Sequence, residues 1–334
     1  MYKVITFNKT GYDPFLDFIK AYAILCVLLG HTFPFLHETG YPLWYGMQVP
    51  LFVLIQVFHV FKKDTYKFNI KKIIQRILVP YLLVQILPLC YVLFQTIKGN
   101  SLIFSYINGG GYGPGSYYPW LYIQLAFILV FVKPWFDKGS KLKKLLITLL
   151  ICEGFEIMSS LVVLPDAIHR LLPIRYFFLI YLGWVWVFEG IIINLKTIIL
   201  SLLSMSAIIY FEYFYTPTEP WFYDTAWKYH RWPCYYFVST LFGGLLYYLY
   251  EKIKGIKIVD KSIKVLAKCS YEIFLIQMII VPLSTRVDFL ENAYINCGLR
   301  IVIVFCISIV GGYYFNHIYN VFLKYNKNGL FKNN

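Results

Sequence analysis

The chain has 334 residues, of which 59% are hydrophobic, 20% aromatic and only 14% charged, with a mean hydropathy of +0.60. Ordinary soluble domains carry about 25% charged residues, so the composition excludes a typical soluble enzyme and points to an integral membrane protein. The formal net charge of +14 raises nucleic acid as a partner, but cytoplasmic loops of membrane proteins also concentrate Lys and Arg, so the placement of the charges decides.

In chain order, the leader "MYKVITFNKTGYDP" is polar and aromatic and has no apolar run or small-residue cleavage site, so no cleavable signal is expected. A membrane span needs about 20 mostly apolar residues. Ten stretches are candidates, the sixth of them short: Phe15 to Leu36, Leu43 to Phe61, Gln75 to Thr96, Pro119 to Phe136, Leu145 to Leu164, Ile174 to Phe188, Thr197 to Tyr215, Cys234 to Tyr250, Ile263 to Leu283 and Gly298 to Leu323. Most of the 31 Lys and Arg fall in the N-terminal tail, in alternate loops and in the adjoining span ends. Examples are Lys62 to Arg76, Lys133 to Lys144 and Lys252 to Lys264. The opposite loops hold few: Lys98, Arg170, Arg175, Lys228, Arg231, Arg286 and Arg300. This asymmetry predicts cytoplasmic termini. It also explains the basic charge without nucleic acid, and leaves an inner face suited to an anionic cytosolic ligand.

No linker or soluble-domain-sized insertion interrupts the spans, so residues 1–334 read as a single membrane domain. The expected fold is all-α, a polytopic bundle of about ten transmembrane helices in contact with membrane lipid. The two long outer loops, Ile97 to Tyr118 and Thr216 to Pro233, are rich in aromatics, Gly and Pro. That composition suits interfacial belts, turns and carbohydrate stacking alike. The seven cysteines show no CxxC pairing and read as packing residues; the six histidines show no HxH or HExxH spacing, so no metal is expected.

The first span carries Asp17, Lys20 and His31. Lys20 and His31 are eleven residues apart, which at about 100° per residue returns them to nearly one azimuth, with Asp17 within about 60° of both. Ionisable groups in mid-bilayer cost at least a few kcal/mol each unless they face a bundle interior or a watery passage. A polar stripe on a buried face follows; an exposed Asp17–Lys20 pair one turn apart, with a snorkelling lysine, is the plainer alternative.

The pattern "LDFIKAYAILCVLLGHTFPF" resembles the start of membrane-bound acyltransferase family 3, whose first helix carries a basic residue, ten intervening positions and then His. The further stretches "VPLFVLI", "KKIIQRILVPYL", "GPGSYYPWLYIQL", "RLLPIRYFFLIYLG" and "SYEIFLIQM" are similar to that family in the same order. Two positions depart from it: Gln56-Val57, where many members have Ser-Gly, and Gln277, where many have His. The resemblance implies an O-acyltransferase of a bacterial inner membrane. It would move an acyl group, most often acetyl from acetyl-CoA, to a hydroxyl of a surface polysaccharide or lipid-linked saccharide.

A sugar hydroxyl is a weak nucleophile, and His31 is the candidate to deprotonate it or to carry the acyl group transiently. Lys20 and Asp17 would neutralise charge and orient the stripe. Lys72 and Arg76 in "KKIIQR" are candidates for the phosphates of the acyl-CoA. Glu153 and Glu156 share a helix face, with Glu156 a candidate acid, base, hydroxyl clamp or partner of Arg175. Tyr117, Tyr118, Gln124 and Arg175 are candidates for contact with the acceptor. A transporter or flippase-like protein is the competing reading, although no internal repeat between the halves supports it.

Overall fold

The structure is a computed structural model that describes residues 2–33, 47–99, 103, 106, 109–162, 171–210, 232–285 and 293–330. Every apolar stretch read from the sequence is mostly helical over its described part. Helix α1 spans Pro14–Thr32; the Asp13 side chain caps it by accepting from Phe15 N at 2.9 Å, and Pro14 sits where no N–H is needed. Helix α2 is Gln48–Phe61. Helix α3, Ile70–Ile97, is capped by Asn69 and widens to a π-helical segment over Ile74–Leu78. Helix α4 is Tyr118–Lys138 and α5 is Lys141–Val162. Helix α6, Pro173–Phe188, opens as the 3-10 turn Pro173–Tyr176. Helix α7, Leu195–Ile209, begins at a capping box of Asn194 and Thr197. Helix α8, residues 232–253, contains a second π-helical segment at Val238–Phe242.

The ninth apolar stretch, Ile263 to Leu283, is not one straight span. It divides at Cys269 into α9, Lys257–Lys268, and α10, Ser270–Ser284, which are bent by 70°. The cause is visible in α9: Lys257, Lys261, Lys264 and Lys268 recur along one exposed side, while Ile263 and Ala267 are buried on the other. Lys268, placed within a span by hydropathy, belongs to that exposed row. The long final helix α11 is Ala293–Leu330. Among the described residues, four helices are long and apolar enough to cross a membrane by themselves, or five if the bent pair counts as one.

Cationic segments gather on one face. Strand β1, Lys3–Ile5, pairs antiparallel with β2, Ile191–Ile193, the one departure from an all-helical fold among the described residues. Lys62 Nζ donates to Gly11 O at 3.3 Å, and Lys141 pairs with Glu189 at 2.5 Å. Lys3 lies over the Tyr247 ring at the end of α8, and Tyr319 of α11 donates to Gln75 O at the start of α3. These contacts join the loops that the charge pattern assigns to one side.

The core packs Ile19 of α1, Leu51, Leu54 and Phe58 of α2, Leu121 and Leu125 of α4 and Trp186 of α6. Outside it, large apolar side chains are exposed, among them Leu82, Leu83, Ile86 and Leu87 of α3, Phe131 of α4 and Ile318 of α11. A soluble bundle would bury such rows; a lipid-facing one leaves them outward. Cys26, Cys152, Cys234 and Cys269 are buried packing residues, whereas Cys90 and Cys306 are exposed. Residues 216–231 of the second outer loop, and Arg170, Lys228, Arg231 and Arg286, lie outside the described residues.

Candidate active site

Helices α1 and α2 run antiparallel, and each gives one face to a cavity of about 1100 Å³. From α1 come Lys20, Val27 and His31; from α2 come Phe52, Ile55, Gln56 and His59, at the three- and four-residue spacing of a single helical face. One end of the cavity is cationic, with Lys20, Lys63, Lys67, Lys72 and Arg76. At about 1.5 Å per residue, His31 lies about 16 Å along α1 from Lys20. At its end stand Tyr117, Tyr118, Arg175, Tyr176 and Tyr235.

His31 is half-buried, and its Nδ1 lies 3.0 Å from Oε1 of Gln277 on α10. The fully buried Gln277 in turn donates from Nε2 to the carbonyl of Pro114 at 3.0 Å. Pro114 belongs to the glycine-rich turn that precedes α4, and this turn is held through its backbone. Gln85 of α3 bonds Tyr112 twice, donating to its carbonyl at 3.1 Å and accepting from its N–H at 2.8 Å. Tyr81 and Trp120 both donate to Gly110 O, the indole at 2.7 Å, and Ser116 donates to Gly109 O at 2.7 Å. Two glycines are required here. Gly113 has φ +90°, and a Cβ on it would overlap the backbone of Met278; Gly115 has φ +82°, and a Cβ would lie 2.8 Å from the Phe274 ring. The turn is thereby seated directly on α10 beside His31.

At the cationic end, Arg76 lies within the π-helical segment of α3. Tyr271 donates to Ile77 O at 2.8 Å and Tyr319 to Gln75 O at 2.5 Å, so the carbonyls on both sides of Arg76 are held by other helices. Such segments recur where a side chain must be redirected. Glu272, buried on α10, interacts electrostatically with Arg76.

Of the residues singled out in the sequence, Lys20, His31, Lys72, Arg76, Tyr117, Tyr118 and Arg175 line the cavity together. Three do not. Asp17 lies behind Lys20, pairing with it at 3.3 Å and accepting from Tyr12 at 2.7 Å. Glu156 is fully buried among helices and interacts electrostatically with Arg175 and with Cys152. Gln124 donates to the Leu171 carbonyl at 2.9 Å, which ties α4 to the chain ahead of α6. The sequence reading did not place His59, Tyr235 and Gln277. Only Gln277 had left a signal, as a polar residue at a position where the resembling family often has His.

A family model described as an acyltransferase domain, that of acyltransferase family 3, matches residues 13–317. The chain belongs to acyltransferase family 3. It is an acyltransferase and a membrane protein. No match was found among curated proteins or among solved structures. The matched region of this family 3 acyltransferase contains every residue that lines the cavity.

Proposed function

We propose that this acyltransferase takes its acyl group from acetyl-CoA or another acyl-CoA at the cationic end of the cavity. It delivers that group to a hydroxyl of a surface polysaccharide or lipid-linked saccharide at the His31 end. The observation that carries the reading is that one cavity is lined both by the five cations Lys20, Lys63, Lys67, Lys72 and Arg76 and by His31, about 16 Å along α1 from Lys20. The donor's phosphates call for several cations, which Lys20, Lys63, Lys67, Lys72 and Arg76 supply. Its thioester must reach an apolar, water-poor place beside a base. Tyr117, Tyr118 and Tyr235 offer aromatic faces and hydroxyls to a sugar ring, and Arg175 a charge for oxygen atoms of the acceptor.

The chemistry balances with His31 alone as proton carrier. The acceptor hydroxyl gives its proton to the imidazole as its oxygen attacks the thioester carbonyl. The C–O bond forms, the C–S bond breaks, and the departing sulfur takes the proton from the imidazolium. In this reading residues 1–334 form one domain of about ten spans, and the cationic face with both termini is cytoplasmic in a bacterial inner membrane.

The test is transfer of label from acetyl-CoA to extracted envelope glycan, in membranes carrying wild type or His31→Ala at matched folded protein. Base-labile labelling by wild type and its loss in the variant is the expected result. Equal labelling would remove His31 from the reaction.

A further inference from the structure

We propose that Gln277 is a positioning residue that holds His31 in its Nδ1–H form, so that Nε2 is the nitrogen that accepts the hydroxyl proton. The inference rests on the reading of His31 as the base. It begins from two hydrogen bonds whose directions are forced. The Pro114 carbonyl can only accept, so the Gln277 atom 3.0 Å from it must be the amide nitrogen. That turns Oε1 of the same amide toward His31, 3.0 Å from Nδ1. An amide oxygen also only accepts, so Nδ1 must carry the proton. A neutral imidazole with a proton on Nδ1 has its lone pair on Nε2. The direction of the whole chain is therefore set by a backbone carbonyl that cannot change its role.

Gln277 has no exposure, and its amide has no rotational freedom that keeps both bonds. The carbonyl it holds is in the turn whose next residues, Tyr117 and Tyr118, face the cavity. One amide thus fixes both the form of the base and the distance between that base and the acceptor side of the cavity.

Two variants separate the two bonds. Gln277→Leu removes both. Gln277→Glu keeps an oxygen that accepts from Nδ1–H whether or not the carboxyl is ionised. The expected result is that Gln277→Leu lowers kcat about tenfold or more, with the KM for acetyl-CoA changed less than about threefold because the cationic end is untouched. Gln277→Glu restores kcat to within about threefold of wild type by the same argument. Nitrogen-15 spectra of ring-labelled histidine, with the His31 signal assigned by its loss in His31→Ala, give an independent reading. Nδ1 of His31 is protonated in wild type and in Gln277→Glu, and Gln277→Leu moves the ring toward the other tautomer.

A proton on Nε2 in the wild type overturns the proposal, whatever the variants do. So does equal impairment of the Leu and Glu variants with Nδ1 protonated in both, which would make Gln277 only a holder of the turn. Full transfer by His31→Ala would instead remove the base assignment itself, and is read separately from the Gln277 results.

Discussion

The two ends of the cavity are built on opposite principles. At the cationic end Lys63, Lys67, Lys72 and Arg76 are exposed, and the lysines stand on long flexible stems. Each exposed charge contributes about 0–1 kcal/mol to any one pairing, and their effect is a summed field rather than a fixed geometry. At the His31 end the arrangement is rigid: Tyr81, Gln85, Trp120, Ser116 and Gln277 all bond the backbone of one turn. Each such bond is worth about 1 kcal/mol net, but together they hold the turn against α10 and His31. Collecting a polyanion tolerates substitution one charge at a time, whereas placing a proton acceptor does not.

That contrast can be broken at either end. The largest effect belongs to His31→Ala, which is expected to lower transfer about a hundredfold or more without changing the amount of folded protein. Next is Gly113→Ala, where the positive φ and the overlap with Met278 displace the turn. Backbone strain of about 1–3 kcal/mol should reduce both thermal stability and kcat, and unchanged values for both would show that the turn is loosely held. Arg76→Ala and Lys67→Ala should each raise the KM for acetyl-CoA only about twofold to threefold with kcat nearly kept. A tenfold rise at either one alone would mean that the cationic end also depends on one geometry. The smallest change belongs to Gln124→Leu, outside the cavity. It should leave transfer within about twofold while removing about 1 kcal/mol of stability through its bond to Leu171, read as a lower melting temperature.

Much of this was legible in the sequence because it is periodic or compositional. The helices follow from apolar stretches of membrane length, and the common face of the basic loops from alternation of Lys and Arg. The alignment of Lys20 with His31 follows from helical arithmetic alone, and both line one cavity. What could not be read depends on contacts between residues far apart in the chain. Gln277 meets His31 across 246 positions, and nothing local to either residue marks the pair. Gln124 reads from the sequence as a candidate for contact with the acceptor, yet its partner is Leu171. Within "GPGSYYPW", Ser116 and Trp120 bond the carbonyls of Gly109 and Gly110 ahead of it, contacts that no spacing in the stretch marks. Hydropathy averaged over a window likewise merged α9 with α10, because the window ignores which side of a helix the lysines occupy.

The central claim is that one continuous passage joins the cationic end to His31, and Val27 tests it most directly. Val27 is on α1, between Lys20 and His31, and lines the cavity at 4% exposure. The measurement is acetyl transfer and acetyl-CoA binding by Val27→Trp, purified and matched for folded protein. The predicted result is binding within about threefold of wild type, since the cations remain, together with loss of transfer because the indole closes the passage. Transfer at the wild-type rate with the tryptophan in place would contradict the account.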